Sequence, residues 1–170
     1  MGRFVCLKFL NSYILILKIN KLFIDFFNKL KQEGLIIMTK MTTEEAFVKV
    51  LQMHGIEHAF GIIGSAFMPI SDIFPDAGIT FWDVAHETNG GLIADGYTRS
   101  TGKMSMVIAQ NGPGITGLVT PIKTAYWNHT PLLLVTPQAA NKTMGQGGFQ
   151  EVEQMNLFKD MVCYQEEVRD

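Results

Sequence analysis

Cysteine is scarce in this sequence, because the 170 residues contain only Cys6 and Cys163. Two cysteines so far apart cannot build the dense disulfide framework of a small secreted domain. They also lack the paired spacing that zinc ligands show. We therefore expect no metal site built by this chain, and the low cysteine usage fits a reducing cytoplasm.

Strong net charge and long apolar runs are missing as well. The formal net charge is −2, so the basic surface that nucleic-acid binding requires is absent. No apolar run reaches the roughly 18 residues of a membrane span. Lys8, Lys18 and Lys21 interrupt every candidate near the N-terminus. We predict a globular protein that binds neither nucleic acid nor membranes.

Residues 1–37 differ in composition from the rest of the chain, with six basic side chains against two acidic ones. A secretory signal is disfavoured, because the apolar run at 13–17 leads into Lys18 and not into a small-residue cleavage site. Phe, Ile, Asn and Lys have AT-rich codons, so we expect a non-native extension translated from upstream DNA. Met38 or Met41 would then be the natural start. An amphipathic surface helix is the alternative.

From Met38 onward, short apolar segments alternate with helical patterns. Thr42-Thr43-Glu44-Glu45 predicts a capping-box helix start, and Gly55 a helix end. Short apolar strands that alternate with helices predict an α/β domain, a parallel sheet with helices on both faces, over residues 38–170. Strands are predicted at 58–63, 79–85, 104–109 and 131–136, and helices at about 42–54, 67–74, 87–100, 115–127 and from 151 onward.

Polar residues and glycines cluster where the predicted strands end. Ligands of open α/β sheets bind at the carboxyl edge of the strands, so these residues define the candidate site. The four strand ends are Ile63-Gly64-Ser65, His86-Glu87, Gln110 to Gly114, and Pro137-Gln138.

Two of these motifs also have purely structural explanations. Glu87 could simply place a negative charge at a helix start, where the helix dipole favours it. His86-Glu87 does not begin a zinc-protease motif, because Gly90 occupies the place of the second histidine. The segment from Asn111 to Gly114 could be an ordinary tight turn. Its glycines would equally let the backbone approach a flat ligand, and Pro113 suits a first helical turn.

Five motifs follow one another along the chain. They are His58-Ala59-Phe60-Gly61 with Gly64, His86-Glu87, Ala94-Asp95-Gly96-Tyr97-Thr98-Arg99 with Thr101-Gly102, Asn111-Gly112-Pro113-Gly114, and Phe149-Gln150-Glu151. Together they resemble the N-terminal, pyrimidine-binding domain of the acetolactate-synthase-like thiamine-diphosphate enzymes, from about Met38 to the end of the chain. The segments 124–131, 136–142 and 145–155 resemble the acetyltransferase branch of that family. This implies conversion of sulfoacetaldehyde and phosphate to acetyl phosphate and sulfite.

The resemblance implies roles for the strand-end residues. The family glutamate that matches Glu87 hydrogen-bonds a ring nitrogen of the cofactor's aminopyrimidine and favours the imino tautomer, which removes the thiazolium proton. Asn111, Gly112, Pro113 and Gly114 would line the pyrimidine. The ring of His86 could equally make a structural hydrogen bond. The substrate-side candidates are Ile63, Gly64, Ser65, His86, Gln110 and Gln150.

The resemblance also implies thiamine diphosphate and Mg²⁺ as cofactors. The Gly-Asp-Gly motif that holds the metal and the diphosphate is missing, since Asp95-Gly96 follows Ala94 inside a predicted helix. The resemblance further implies that the diphosphate-binding domain of a second subunit completes the site in a homodimer or homotetramer. This chain alone should be inactive.

Three interpretations of the chain stay open. The charged ending at 166–170 favours a domain truncated at its C-terminus, the front of a longer three-domain polypeptide. A separately encoded pyrimidine-domain subunit of a 2-oxo acid decarboxylase, of the sulfopyruvate type, is the alternative. A non-catalytic interaction domain that keeps the fold is the third.

Overall fold

The computed structural model describes residues 41–140 and 142–167. The extension predicted at 1–37 and the end of the charged segment, 168–170, lie outside this part of the chain. The helices are α1 Thr43–Met53, α2 Met68–Ser71, α3 Glu87–Thr101, α4 Pro113–Thr116, α5 Val119–Trp127 and α6 Gln154–Phe158, and the strands are β1 His58–Gly61, β2 Thr80–Asp83, β3 Ser105–Ile108 and β4 Leu132–Val135.

The four strands form one parallel sheet in the order β2-β1-β3-β4. In the register, Ala59 of β1 lies opposite Phe81 on one side and Met106 on the other. Every residue of β3 is buried, which accounts for its continuous apolar sequence, since both faces of a central parallel strand are covered. The predicted α/β fold with a parallel sheet is confirmed.

Alternation along β3 divides the core into two layers. Met106 packs in the cluster that contains Phe47 of α1 and Ile70 of α2. The neighbouring Val107 packs on the opposite face, in the cluster that contains Ala94 of α3 and residues of α5 and α6. Successive strand residues point to opposite faces, so helices cover both sides of the sheet as predicted.

The start of α1 is the predicted capping box. The amide of Glu45 donates to the Thr42 hydroxyl over 3.2 Å, and the amide of Thr42 donates to the Glu45 carboxylate over 2.7 Å. Gly55 follows the helix at φ 68°, a left-handed conformation that glycine adopts without steric cost. Both predicted helix signals are confirmed.

The helix predicted over 115–127 is confirmed for residues 119–127, but the structure separates α4 from α5 by a break at residues 117 and 118. Pro121 has no amide hydrogen to give to the carbonyl of Gly117, four residues earlier. That carbonyl instead accepts the hydroxyl of Thr88 over 2.6 Å, which ties the first turn of α3 to the break. The last helix also begins later than predicted, at Gln154, because the residues from Glu151 belong to a loop.

Helix α3 approaches the end of β1 closely where Gly90 meets Gly61, because neither residue has a side chain. Gly61 adopts φ 144°, and a methyl group on it would lie 1.9 Å from the carbonyl oxygen of Ile108. A methyl group on Gly90 would lie 3.0 Å from the Cα atom of Gly61. This close approach brings the first turn of α3, with Glu87, over the end of β1.

Candidate functional site

The site lies where the chain leaves the carboxyl ends of β1, β2 and β3. A methyl group on Gly64 would lie 1.9 Å from the side-chain oxygen of Gln110, and one on Gly114 would lie 3.1 Å from Oε1 of Glu87. Gly112 faces Gln150 in the same way, at 2.5 Å from its carbonyl oxygen. The fold therefore brings three of the five motifs, and Gly64 of a fourth, to one edge of the sheet.

Glu87 is the first residue of α3 and is partly buried. Its Cβ atom packs 3.5 Å from the position of a methyl group on Gly117, so the side chain extends along α4 towards Gly114. Within the described residues, no group donates a hydrogen bond to its carboxylate. The carboxylate is thus available as an acceptor beside a turn without side chains.

His86 caps α3. Its Nδ1 accepts the amide of Thr88 over 3.2 Å, so the cap is this imidazole and not the carboxylate of Glu87. The ring of His86 thus makes a structural hydrogen bond, and it does so as the acceptor.

The hydrogen bonds of Asn111 determine how the amide of Gln110 is oriented. Nδ2 of Asn111 donates to the carbonyls of Phe149 (3.2 Å) and Gln150 (3.0 Å). Because carbonyl oxygens only accept hydrogen bonds, the NH2 end of the Asn111 amide must face them. Oδ1 of Asn111 must then accept, and it receives Nε2 of Gln110 over 2.7 Å. The oxygen of Gln110 is left buried and without a donor in the described chain, against Gly64.

A loop over residues 145–151 closes the other side of the site. Gln150 has φ 57°, a left-handed conformation that is uncommon for a residue with a side chain and persists only when its surroundings enforce it. Its carbonyl is held by Asn111 and lies over Gly112. Phe149 beside it is 84% exposed, which is unusual for a large aromatic side chain.

The remaining predicted site residues make fewer contacts. Ile63 is partly buried after β1, and Ser65 is exposed in the turn that follows. Pro113 is exposed as the first residue of α4, the position expected for it.

Two glutamines connect β4 to the loop. Sequence reasoning placed Gln138 at a strand end of the candidate site and assigned no role to Gln154. Nε2 of Gln154 donates to the carbonyl of Pro137 over 3.0 Å, and Nε2 of Gln138 donates to the carbonyl of Val152 over 3.1 Å. One signal was present, because Gln154 and Phe158 stand four residues apart and share the buried face of α6.

The geometry fits a flat heterocycle with its own donors. Gly114 presents backbone instead of a side chain beside the carboxylate of Glu87, and Gly112 lets the 145–151 loop approach. The carboxylate of Glu87 and the orphaned oxygen of Gln110 are acceptors. No three His, Cys, Asp or Glu side chains approach closely enough to bind a metal in the described residues. In the same part of the chain, every helix is too short or too polar to span a membrane.

Comparison with known proteins identifies the class to which this fold and site belong. Residues 41–157 match the family described as thiamine pyrophosphate enzyme, N-terminal TPP binding domain. The chain belongs to this family.

Within the family, the chain is similar in sequence to several proteins that share one name. It is 86% identical over 131 residues to the sulfoacetaldehyde acetyltransferase of Roseovarius nubinhibens, a match of 77% of this chain and 22% of that protein. It is 48% identical over 126 residues to the sulfoacetaldehyde acetyltransferase of Castellaniella defragrans, covering 74% of this chain and 21% of that protein. The chain thus spans about a fifth of the length of these relatives.

A solved structure has the same fold. The thiamine diphosphate-dependent 4-hydroxybenzoylformate decarboxylase of Rhodococcus jostii RHA1 superposes with a TM-score of 0.68 at 26% identity. The match covers 72% of this chain and 23% of that one.

Proposed function

We propose that this chain is the pyrimidine-binding part of a thiamine-diphosphate-dependent acetyltransferase that converts sulfoacetaldehyde and phosphate to acetyl phosphate and sulfite. The observation that carries the proposal is the carboxylate of Glu87, which lies beside Gly114 without a protein donor. The 86% identity to a sulfoacetaldehyde acetyltransferase supports the choice of reaction.

Glu87 would hold a proton at the ring nitrogen of the aminopyrimidine. A partly buried carboxylate suits this task, because charge interactions are less screened there than in water. Gly112 and Gly114 would lie along the ring face, with Asn111 and Pro113 completing the turn. Thiamine diphosphate, when bound, would supply the electron sink of the reaction.

The substrate would approach from the side of β1 and the 145–151 loop. Gln110 offers an acceptor there that is already oriented by Asn111. Gln150 closes the opposite wall. Ile63, Gly64, Ser65 and His86 would bound the remaining edge, as the candidates named from the sequence.

We further propose that Mg²⁺ and the diphosphate are bound by another domain. That domain would come from a second subunit of a homodimer or homotetramer in the cytoplasm. The support is that Glu87 and the turn from Asn111 to Gly114, which we call the glycine turn, would account for the pyrimidine half of the cofactor alone. We call the assembly of this chain with that domain the complete enzyme.

The test of the reaction is phosphate-dependent release of sulfite by the complete enzyme. Sulfoacetaldehyde with phosphate is expected to yield sulfite and acetyl phosphate in equal amounts. A decarboxylase is the second candidate, favoured by the superposition on the 4-hydroxybenzoylformate decarboxylase. Carbon dioxide release from sulfopyruvate without phosphate would select it. Failure to bind thiamine diphosphate would leave the non-catalytic interaction domain.

Replacing Gly114 by Ala is expected to weaken thiamine-diphosphate binding about tenfold, equivalent to about 1.4 kcal/mol. The new methyl group would lie 3.1 Å from Oε1 of Glu87, in the space assigned to the ring. Ala is favoured over Gly in a helix, so the fold should not suffer. Isothermal titration calorimetry on the complete enzyme measures the affinity. Gly96→Ala, whose methyl group would meet open space, is the control. Equal affinity in both variants would refute the placement of the ring beside Gly114.

A further inference from the structure

Glu151 binds the backbone of its own loop with both carboxylate oxygens. Oε1 accepts the amide of Gly145, and Oε2 accepts the amide of Gly148 over 2.9 Å. Hydrogen bonds to a charged acceptor are stronger than neutral ones. These amides also hold the pKa of the Glu151 carboxyl below its ordinary value, because they favour the ionised form. The carboxylate therefore closes residues 145–151 into a ring, which we call the carboxylate clip.

Glycine makes the carboxylate clip possible. Gly145 and Gly147 adopt φ 78° and 71°, and this left-handed backbone turns successive amides towards one point. Gly148 packs against Ala139, where a methyl group would lie 3.3 Å from its Cβ atom. The ring is thereby seated on the segment that follows β4.

The residue before Glu151 is Gln150, whose backbone is held from the other side by Asn111. Nδ2 of Asn111 donates to the carbonyl of Gln150 over 3.0 Å, and that carbonyl lies over Gly112. Two independent attachments thus fix a left-handed residue at the site, one from the glycine turn and one from the carboxylate clip. Removing either leaves the loop anchored at a single side.

We propose that Glu151 is a positioning residue, whose carboxylate holds the 145–151 loop closed so that Gln150 forms the substrate wall of the site. The carboxylate does no chemistry, because backbone donors already occupy both of its oxygens. The part of this inference that concerns substrate rests on the proposed function. The part that concerns loop closure rests on the described contacts alone.

Limited proteolysis tests loop closure without reference to activity. Lys142 is exposed three residues before the loop, and its carbonyl ties it to the loop by accepting Nε2 of Gln146 over 3.0 Å. Cleavage after Lys142 requires the segment to open. In Glu151→Gln, trypsin should cut there about tenfold faster, since a charge-assisted hydrogen bond is lost. Glu151→Asp, charged but too short to reach both amides, should behave similarly.

Glu153→Gln is the matched control. It makes the same change of charge two residues away, on an exposed side chain whose only described bond is a 3.4 Å contact from Asn156. Its cleavage rate should equal that of the parent enzyme. If Glu151→Gln is cut no faster than this control, or if Glu151→Asp restores the parent rate, the carboxylate clip is refuted.

Steady-state kinetics of the complete enzyme tests the positioning role. Glu151→Gln should raise KM for sulfoacetaldehyde about tenfold and change kcat less, since a misplaced wall weakens substrate binding. A merely structural role would reduce the active fraction and leave KM unchanged, so faster cleavage with an unchanged KM would overturn positioning. If the parent enzyme releases no sulfite, the proposed function fails, while the proteolysis result still decides loop closure.

Discussion

Replacing Glu87 by Gln is expected to lower the turnover of the complete enzyme by at least about 100-fold, the usual weight of a proton-transfer group. The amide has nearly the same shape, but it cannot hold a proton at a facing nitrogen as a carboxylate does. Exchange of the C2 proton of bound thiamine diphosphate with solvent deuterium, followed by NMR, is the direct measurement. Normal exchange in the variant would refute the role of Glu87.

Helix stability must be separated from chemistry in that experiment. Glu87 lies in the first turn of α3, where a negative charge contributes about 0.3–1 kcal/mol through the helix dipole. Glu44 occupies the equivalent turn of α1, and its carboxylate accepts the hydroxyl of Thr43 over 3.2 Å. Glu44→Gln should therefore show the same small change in unfolding free energy as Glu87→Gln, with full turnover. Loss of activity in both would show that the effect is one of stability.

Replacing Gly61 by Ala is expected to destabilise the domain by about 4 kcal/mol or more, in the range that unfolds ordinary domains. The new methyl group would lie 1.9 Å from the carbonyl oxygen of Ile108, in the centre of the sheet. Backbone cannot move aside as a flexible side chain can, and φ 144° is itself strained for alanine. Soluble yield and urea unfolding followed by circular dichroism measure the loss.

Gly96→Ala is expected to change the stability of the domain in the opposite direction. This glycine lies inside α3, and a methyl group on it would meet nothing within 4 Å. Ala is favoured over Gly in a helix interior by about 1 kcal/mol, so the variant should be slightly more stable. A Gly61→Ala protein as stable as Gly96→Ala would contradict the close crossing of α3 and β1.

Local signals were readable from the sequence. The capping box at Thr42 and Glu45, the stop at Gly55 and the short apolar strands all depend on residues that are neighbours in the chain. Their interpretation as a parallel sheet with helices on both faces is correct for that reason. The edge where Glu87, Gln110 and the glycine turn meet followed from the rule that ligands bind at strand ends.

Contacts between distant residues were not readable. Pro121 is a local signal for the break between α4 and α5, but the hydroxyl of Thr88 that satisfies the freed carbonyl of Gly117 lies 29 residues away. The cap of α3 is His86, a residue type whose capping is no strong sequence signal. The left-handed Gln150 is enforced by Asn111, 39 residues away. Each depends on tertiary packing, which propensity and periodicity do not encode.

The orientation of the Gln110 amide has a consequence for selectivity. Its oxygen carries lone pairs and no hydrogen, so the substrate side of the site would disfavour an electron-rich group at this point. A substrate analogue that presents a carbonyl where the substrate presents a donor would set oxygen against oxygen, and its burial would forfeit hydrogen bonds to water without replacement. Asn111 would thus determine this selectivity indirectly. Its side chain does not contact the bound molecule, but its hydrogen bond decides which end of the Gln110 amide faces the site.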